Sequence, residues 1–454
     1  MYNNQQIKTL VTQYNVSGPR YTSYPTALQF DPITQNNIQR VLNLQIGRTE
    51  PLSLYIHIPF CEHICFYCAC NKVATKDHTK ADHYLDKLEK EMQIYSTTFG
   101  HRVIEQLHLG GGTPTFLTPN QLTRLLNLIK QYFNMSDQGE YSIELDPRAT
   151  SDEHLLVLKK FGFNRASIGV QDFSVLTQQA INRIQPESMV KSLLNQLRKL
   201  DFSSINFDLI YGLPKQTTQR FLNTIDKVID LNPDRIAVYN YAHLPERFKP
   251  QRRIDTNQLP SVGEKLEMMS QSIVKLENAG YRYIGMDHFA KPEDELVQAQ
   301  QNGTLQRNFQ GYATCGNLDL LALGCSSISK MGPFYWQNHS DLALYEQSVD
   351  DGLFPINKGV SLSDDDLVRQ KVINLLSCAQ TVNFHEINVK FNIDFKQYFK
   401  SELNSLDDLI RSGLIKVDDE SIEVTNIGKL MIRPICMKFD AYLNNIIPSF
   451  SKVL

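Results

Sequence analysis

Short apolar runs alternate with amphipathic stretches from about residue 52 to residue 280. The runs are rich in aromatic and β-branched residues and predict six strands: Leu54–Ile58, Gln106–Leu109, Tyr141–Leu145, Arg165–Val170, Ile205–Ile210 and Arg235–Tyr239. The segments between and after them repeat apolar positions at helical spacing, which predicts helices at Asp82–Phe99, Pro119–Phe133, Ser151–Phe161, Ser188–Leu200, Thr217–Leu231 and Val262–Ala279. Six such units are too few to close an eight-stranded barrel, so we expect an α/β fold, an open (β/α)6 partial TIM barrel.

The remaining regions differ in pattern from this core. We predict an N-terminal arm at 1–50, the barrel core at 51–290, a barrel extension and connection at 291–360, and a mainly helical C-terminal domain at 361–454. The arm shows little periodicity. The last domain has a helix–hairpin–helix order with a short strand at Ile422–Val424, which resembles a winged helix. Its acidic and basic residues nearly balance, so we do not expect it to bind DNA.

Composition narrows the class of protein. The 454 residues include 46 Lys and Arg against 49 Asp and Glu, a net charge of −3, and this lack of basic surplus argues against nucleic-acid binding. No apolar run reaches the roughly 20 residues of a membrane helix, so no membrane partner is expected. The chain starts with no apolar signal segment and has ordinary cysteine usage, so we expect a cytoplasmic monomer with reduced thiols.

Three cysteines, Cys61, Cys65 and Cys68, lie within eight residues. Three thiolates can hold three irons of a 4Fe–4S cubane and leave the fourth iron open to a small molecule. A zinc site usually adds a second, separated ligand pair, which is missing here, and chance clustering of core cysteines is the other alternative. Cys70 is too close to Cys68 to replace a member of the triad and could be a spare thiol. The remaining cysteines are interpreted as core or loop residues: Cys315, Cys325, Cys378 and Cys436.

Polar or small residues end the predicted strands, where parallel barrels place their functional groups. They are, in strand order, Cys61, Gly110–Thr115, Glu144, Gln171, Asp208 and Ala242. Glycines let a ligand approach the backbone, although a plain tight turn is the alternative. We expect Glu144 and Asp208 to be buried acids that a ligand hydroxyl or cation satisfies, with a surface acid at a strand end as the alternative for each. Gln171 and Arg183 suit a carboxylate, although Arg183 alone could be a surface residue. In the first strand, Tyr55 and His57 share the face expected to point into the barrel.

The cysteine spacing resembles that of the radical S-adenosylmethionine (SAM) superfamily, which has the same barrel architecture. Further segments are similar to one of its families, the oxygen-independent coproporphyrinogen III oxidases: Tyr21–Thr26, Tyr55–Phe60, Cys61–Lys72, Gly110–Thr115, Asp208–Pro214, Tyr241–Pro245 and Asn308–Tyr312. The resemblance covers nearly the whole chain. Related haem chaperones, which lack the oxidase reaction, the long arm and the fourth cysteine, are the alternative reading. A ferredoxin-like electron carrier would need four cluster ligands and no barrel.

The resemblance implies an oxidoreductase of haem biosynthesis under anaerobic conditions. Such an enzyme converts two propionates of coproporphyrinogen III into vinyl groups, which gives protoporphyrinogen IX and two CO2. A radical is needed because the propionate β-carbon is not acidic enough for a side-chain base. The implied partners are this tetrapyrrole, an electron donor of flavodoxin or ferredoxin type and an electron acceptor. Arginines that could bind its four carboxylates are Arg20, Arg247, Arg252, Arg253 and Arg307. Each of them alone could instead be a solvated charge, so none is assigned as a site residue.

The resemblance also implies a set of site residues. Cys61, Cys65 and Cys68 would ligate the cluster. A first SAM would contact Tyr55, Gly111, Glu144 and Ile328, and a second SAM would contact Tyr67, Gly112, Thr113, Gln171, Arg183, Asp208 and Ala242. The order Phe66–Tyr67 departs from the expected Tyr–Phe, which affects the assignment of Tyr67. No catalytic residue is assigned, and the candidates are Tyr55, His57 and Cys70.

Overall fold

The computed structural model describes residues 9–443, apart from residues 11, 310, 316 and 317. Gln310 of the Asn308–Tyr312 segment therefore lies outside the described residues. The strands are β1 (Asp31–Pro32), β2 (Leu52–Ile58), β3 (Phe60–Cys61), β4 (Val73–Ala74), β5 (Val103–Gly111), β6 (Asn134–Leu145), β7 (Arg165–Gln171), β8 (Ser204–Tyr211), β9 (Arg235–Asn240), β10 (Arg282–Gly285), β11 (His288–Ala290), β12 (Gln306–Asn308), β13 (Gly311–Ala313), β14 (Asp319–Leu323), β15 (Ile328–Met331), β16 (Phe334–Asn338), β17 (Ile356–Ser361), β18 (Thr381–Asn383), β19 (Ile415–Val417) and β20 (Ser421–Val424).

Amphipathic helices connect these strands. They are α1 (Gln35–Asn43), α2 (Thr79–Phe99), α3 (Pro119–Tyr132), α4 (Asp152–Lys160), α5 (Val175–Ala180), α6 (Glu187–Lys199), α7 (Thr218–Leu231), α8 (Val262–Asn278), α9 (Glu295–Gln301), α10 (Leu342–Asp350), α11 (Asp364–Cys378), α12 (Phe384–Phe391), α13 (Phe395–Tyr398), α14 (Lys400–Asn404), α15 (Asp407–Arg411) and α16 (Ile432–Met437). Side-chain caps fix several starts. Thr118 accepts a hydrogen bond from the Gln121 amide at the start of α3, for example, and Ser151 caps α4 in the same way.

The main sheet confirms the predicted open barrel. Its strand order is β1-β17-β16-β15-β14-β2-β5-β6-β7-β8-β9-β11-β10, and its two ends are not paired with each other among the described residues. The six predicted strands correspond to β2 and β5–β9, which run parallel. The third of them is longer than predicted, since β6 begins at Asn134 rather than at Tyr141.

A seventh parallel strand, β14, was missed by the sequence analysis. It pairs with the outer edge of β2, with Leu321 opposite Leu54 and Ala322 opposite Tyr55. Strands β15, β16 and β17 then extend the sheet in antiparallel fashion. The concave face of the sheet therefore continues beyond the predicted six strands.

Alternation along β2 separates the core from the site. Leu54, Ile56 and Ile58 have no exposed surface and belong to the main hydrophobic cluster under the helices. The side chains of Tyr55 and His57 point to the opposite face, where the Tyr55 ring stacks on the ring of His108 from β5 at a centroid distance of 5.8 Å. The polar face thus lies inside the barrel, as expected.

The arm contains more regular structure than its weak periodicity predicted. Its short β1 pairs with β17, and α1 begins with a capping box at Thr34. Buried Arg433 of α16 donates hydrogen bonds to the backbone carbonyls of Gly18 and Pro19, so the C-terminal domain holds the arm in place.

The C-terminal domain adds a small sheet of order β18-β20-β19 to its helices. The predicted strand Ile422–Val424 lies in β20, which forms a hairpin with β19. Among the helices of the described residues, none combines the length and the apolar character that crossing a membrane requires.

Candidate active site

The cysteine loop, defined here as residues 61–70, follows β2 at the carboxyl end of the parallel sheet. Two hydrogen bonds between backbone groups and one from a side chain help to anchor it. The amide of Phe66 donates to the carbonyl of Ile181 at 2.9 Å, and the amide of Thr75, just after the loop, donates to the carbonyl of Cys61 at 3.0 Å. The Gln251 side chain donates from Nε2 to the carbonyl of Tyr67 at 3.0 Å. The loop is therefore held by segments that follow β4, β7 and β9.

Gly111 and Gly112 allow β5 to approach this loop. Gly111 has a φ of +117°, and a Cβ there would lie 2.8 Å from the His57 ring and from the Ile58 carbonyl. A Cβ on Gly112 would lie 2.7 Å from the carbonyl of Phe60 and 3.0 Å from the sulfur of Cys61. Side chains at these positions would push the cysteine loop off the sheet.

Cys61 and Cys68 have different surroundings. Burial raises the pKa of the Cys61 thiol to about 11, although its sulfur lies 3.4 Å from the hydroxyl of Thr113. A hydrogen bond from the Cys70 side chain lowers the pKa of Cys68 to about 6, and the ammonium of Lys72 acts in the same direction. Cys70 therefore lies against a triad member.

Cys65 lies against two arginines that share one carboxylate. Arg148 and Arg183 donate to its sulfur at 3.4 and 3.5 Å, and both also donate to Asp146 Oδ2, at 2.6 and 2.9 Å. Burial alone would raise the pKa of Asp146, but the two guanidiniums outweigh it and lower the value to about 2. This network places positive charge beside a thiol that is expected to bind iron.

Glu144 and Asp208 line a cavity inside the barrel, together with His108, Tyr239 and Tyr312. The Glu144 side chain is 47% exposed to this cavity, so the expectation that it is buried is wrong. It accepts a hydrogen bond from the Gly111 amide at 3.2 Å. Burial raises the pKa of Asp208 to about 6, despite hydrogen bonds from Ser167 and Asn206. One carboxylate thus opens to the cavity and the other is held by neutral donors.

The two remaining catalytic candidates share a polar chain with Asn71. The Tyr55 hydroxyl and His57 Nδ1 lie 3.1 Å apart, and His57 Nε2 lies 3.2 Å from the Asn71 carbonyl. Burial lowers the pKa of His57, so its ring favours the neutral form. This chain links the first strand to the end of the cysteine loop.

The remaining predicted SAM-contact residues come from several different elements of the barrel. Arg183 also donates to the Gly169 carbonyl at 2.7 Å, and its Nε is buried without a hydrogen-bond partner. Gln171 ends β7 with a φ of 65° and is buried. The carbonyl of Ala242 accepts from Gln251 Nε2 at 3.2 Å. Ile328 begins β15, two strands from Tyr55, and packs near Tyr335 in a smaller apolar cluster.

The donor set fits an iron–sulfur cluster better than a single ion. Within the described part of the chain, no three His, Cys, Asp or Glu side chains converge closely enough to share one metal ion. In a cubane each thiolate binds its own iron atom, so the thiolates need not meet at a point. The guanidiniums of Arg148 and Arg183 would offset the negative charge of the cluster thiolates. The lowered pKa of Cys68 favours its thiolate form, which cluster binding requires.

Three residues of the site were missed by the sequence analysis: Asp146, Arg148 and Gln251. Asp146 lies two residues after Glu144, in the loop that follows a predicted strand, which was a usable signal. Gln251 gives no such signal, because it lies in a short 3₁₀ helix after β9 (Lys249–Arg253) and reaches the cysteine loop only through the fold.

The chain is similar to known proteins over nearly its whole length. Residues 55–228 match the radical SAM superfamily model, and residues 362–431 match the HemN C-terminal domain model. The chain is 50% identical to an oxygen-independent coproporphyrinogen III oxidase of Pseudomonas aeruginosa, over 96% of this chain and 95% of that protein. It is 47% identical to the protein of that name from Escherichia coli, with the same coverage. The solved structure of coproporphyrinogen III oxidase (HemN) from Escherichia coli superposes with a TM-score of 0.91 at 44% identity, over 96% of this chain and 99% of that chain.

Proposed function

Because the chain belongs to the oxygen-independent coproporphyrinogen III oxidase family of radical SAM enzymes, we propose that it oxidatively decarboxylates two propionate side chains of coproporphyrinogen III. The product is protoporphyrinogen IX, two CO2 are released, and the reaction belongs to haem biosynthesis without oxygen. The observation that carries this proposal is the 50% identity over 96% of the chain, since it includes the arm and the C-terminal domain as well as the barrel. A binding protein that kept only the radical SAM core would not need this full length.

The family requires a 4Fe–4S cluster and SAM, and the residues present fit both. When bound and reduced, these cofactors supply a carbon-centred radical that removes a hydrogen atom from the unactivated propionate carbon. We infer that Cys61, Cys65 and Cys68 hold the cluster. Arg148 and Arg183 lie 3.4 and 3.5 Å from the sulfur of Cys65, where they would offset the negative charge of the thiolates.

We infer that the barrel interior orients SAM. The glycines at 111 and 112 leave backbone room next to the cysteine loop, and Tyr55, Glu144 and Ile328 would complete a first SAM site. Thr113, Tyr67, Gln171, Arg183, Asp208 and Ala242 would contact a second SAM, with Gly112. Carboxylates suit this role because a ribose offers hydroxyl donors and SAM carries positive charge. The protein's own contribution is then to position the reactants and exclude water.

We further propose the functional division made from sequence: an arm at 1–50, the barrel core at 51–290, its extension at 291–360 and the C-terminal domain at 361–454. The tetrapyrrole is the small-molecule partner. Two electrons leave each propionate, so an electron donor for the cluster and a separate acceptor are both required. A flavodoxin- or ferredoxin-type donor, a cytoplasmic location and a monomeric state complete the proposal.

Anaerobic reconstitution followed by product analysis tests this function. The reconstituted protein should form protoporphyrinogen IX and two CO2 from coproporphyrinogen III, together with methionine and 5′-deoxyadenosine from SAM. A protein with a full iron complement that yields no 5′-deoxyadenosine would contradict the proposal. Haem bound by a protein that makes no vinyl product would favour the chaperone alternative instead.

A further inference from the structure

Two arginines lie over tyrosine rings that line the barrel cavity. Arg20 belongs to the arm, and its guanidinium lies 5.8 Å from the centre of the Tyr239 ring. Arg307 belongs to β12, and its guanidinium lies 4.9 Å from the centre of the Tyr312 ring. Tyr239 and Tyr312 both line the cavity that contains Glu144 and Asp208. We call Arg20 and Arg307 the arginine pair.

Hydrogen bonds to backbone carbonyls join the two arginines to each other and to the end of β9. Arg307 donates from Nε to the carbonyl of Arg20 at 3.3 Å, and Arg20 donates from Nη2 to the carbonyl of Asn240 at 3.2 Å. These bonds orient the guanidiniums without neutralising them. Buried Arg433 lies near enough to both for their charges to lower its pKa, after the larger effect of burial.

Carboxylates close to the pair are few. Asp287 Oδ2 lies 3.6 Å from Arg20 Nη1, which is a long contact between partly exposed groups. Arg307 forms no ion pair with the acidic residues of the described ranges, and its Nη1 is buried without a hydrogen-bond partner. Asp208, the acid below Tyr239, is already bonded to Ser167 and Asn206. Positive charge therefore exceeds negative charge at this place.

The neighbouring histidine adds no charge of its own. His288 stands edge-on to both Tyr239 and Tyr312, and its Nδ1 lies 2.8 Å from the Met286 carbonyl. Burial, assisted by the charges of Arg307 and Arg20, lowers the pKa of His288 to about 3. Its Nε2 is then an acceptor 3.4 Å from the Tyr239 hydroxyl. His288 is therefore neutral and adds nothing to the positive charge of the arginine pair.

We propose that Arg20 and Arg307 form a carboxylate subsite that binds propionate side chains of the tetrapyrrole. This inference rests on the proposed function, and it goes further by assigning substrate contacts to two named residues. A guanidinium presents a planar fork of donors that matches a carboxylate. A buried donor without a partner is costly, and a carboxylate would satisfy Arg307 Nη1 as well as balance the charge. The aromatic rings below the pair would lie against the face of the macrocycle.

The test measures porphyrin binding to the anaerobic holoenzyme. The probe is coproporphyrin III, which carries the same four propionates and fluoresces. We expect Arg307→Gln to raise its dissociation constant by about tenfold to 100-fold, because a charge-assisted hydrogen bond is lost. Arg20→Gln should act in the same direction, and Arg307→Lys should recover part of the loss because it keeps the charge. Added salt should weaken binding to the unmodified protein more than binding to Arg307→Gln.

Two controls separate this subsite from a general loss of structure. Arg220→Gln changes an exposed arginine on the outer face of α7 and should leave porphyrin binding, iron content and turnover unchanged. The dissociation constant of SAM and the cluster absorbance should stay the same in Arg307→Gln. Porphyrin binding that is unchanged in both Gln variants would overturn the proposal, as would an equal loss of SAM affinity.

Failure of the subsite and failure of the proposed function give different results. If the unmodified protein converts coproporphyrinogen III but the Gln variants bind coproporphyrin III normally, the subsite is wrong and the function stands. If the unmodified protein holds its cluster and SAM but forms no vinyl product, the function is wrong. A tenfold or greater loss of binding in Arg307→Gln with partial rescue by Lys supports the subsite.

Discussion

One buried carboxylate lies beside the cysteine loop and another lies between α2 and the end of β14, and the fold shifts their pKa values in opposite directions. At the loop, Asp146 faces two guanidiniums, and its pKa falls to about 2. Under α2, Glu91 faces only neutral donors: the Gly324 amide at 2.8 Å, the Asn338 amide group at 2.7 Å and the Tyr345 hydroxyl at 2.6 Å. Burial therefore raises the pKa of Glu91 to about 7.

The difference in pKa reflects different roles: Asp146 belongs to the candidate active site, and Glu91 stabilises the packing of the fold. Asp146 keeps two cations in position beside Cys65, and a charged network of this kind suits cofactor chemistry. Glu91 satisfies the donors of the turn that leads from β14 into β15, and a neutral, fully bonded acid suits packing. We call Glu91, Gly324, Asn338 and Tyr345 the Glu91 core. The predictions below test whether the two regions behave as site and support.

The largest effect is expected for Cys65→Ser. Loss of one of three ligands should leave the protein without a stable cluster, and turnover should fall to background. Iron and sulfide analysis with electron paramagnetic resonance measures this. Cys325→Ser is the matched control, since Cys325 is also buried but contacts Asn71 next to the Glu91 core. Equal iron loss in both variants would contradict the assignment of Cys65, and not Cys325, as a cluster ligand.

The next effect is on stability. Glu91→Ala leaves the buried Gly324 amide and Tyr345 hydroxyl without a partner, while the Asn338 amide group keeps two other acceptors. The free energy of unfolding should therefore fall by about 3 kcal/mol. Urea unfolding monitored by circular dichroism measures this. Glu91→Gln keeps an acceptor of the same shape and should lose only about 1 kcal/mol. A Glu91→Ala protein as stable as the unmodified one would mean that the Glu91 core is not a support.

The pH dependence of stability should differ between the two acids. Because folding raises the pKa of Glu91 from 4.5 to about 7, its contribution is fully present below pH 4.5 and is lost as the pH rises through 7. This amounts to about 3 kcal/mol. For Asp146 the sign is reversed, since folding lowers its pKa from 3.8 to about 2, and its contribution is lost as the pH falls through that range.

Urea unfolding at pH 5.5 and pH 8 compares the unmodified protein with Glu91→Gln. The unmodified protein should lose more stability than the variant between these two values. Parallel curves would show that Glu91 does not titrate in this window.

The smallest effect is expected on the reduction potential of the cluster. Arg148→Gln removes a cationic donor 3.4 Å from the sulfur of Cys65. The midpoint potential should fall by about 50 mV, because the more negative reduced state loses more stabilisation. A redox titration followed by electron paramagnetic resonance measures it. Arg124→Gln, on the outer face of α3 with Asp86 as partner, should leave the potential unchanged.

Much of this organisation could be predicted from sequence, and the rest depends on contacts between distant residues. The six core strands were found because buried parallel strands are short apolar runs bounded by polar residues. The run Leu318–Leu323 has the same character, but its role as β14 depends on pairing with β2 more than 260 residues earlier, and the sequence contains no sign of that partner. The arm seemed irregular because its elements are stabilised by β17 and α16.

The site residues also fall into those that the sequence predicts and those that it does not. The cysteines, the glycines and the strand-end carboxylates were found, since chemistry restricts their spacing or their place at strand ends. Glu144 was wrongly expected to be buried, because the sequence does not show which strand end opens to a cavity. Glu91 continues the apolar stripe of α2 between Leu88 and Tyr95, and this position was the available signal for a buried acid.

The hydrogen bonds between α16 and the arm also constrain the order in which parts of the chain can fold during synthesis. Arg433 and Gly18 are separated by 415 positions, and the hydrogen bond between them cannot form before α16 has been synthesised. The barrel strands and the cysteine loop are complete long before that moment. In a nascent chain the arm therefore lacks its α16 contacts until the barrel strands and the cysteine loop have been made.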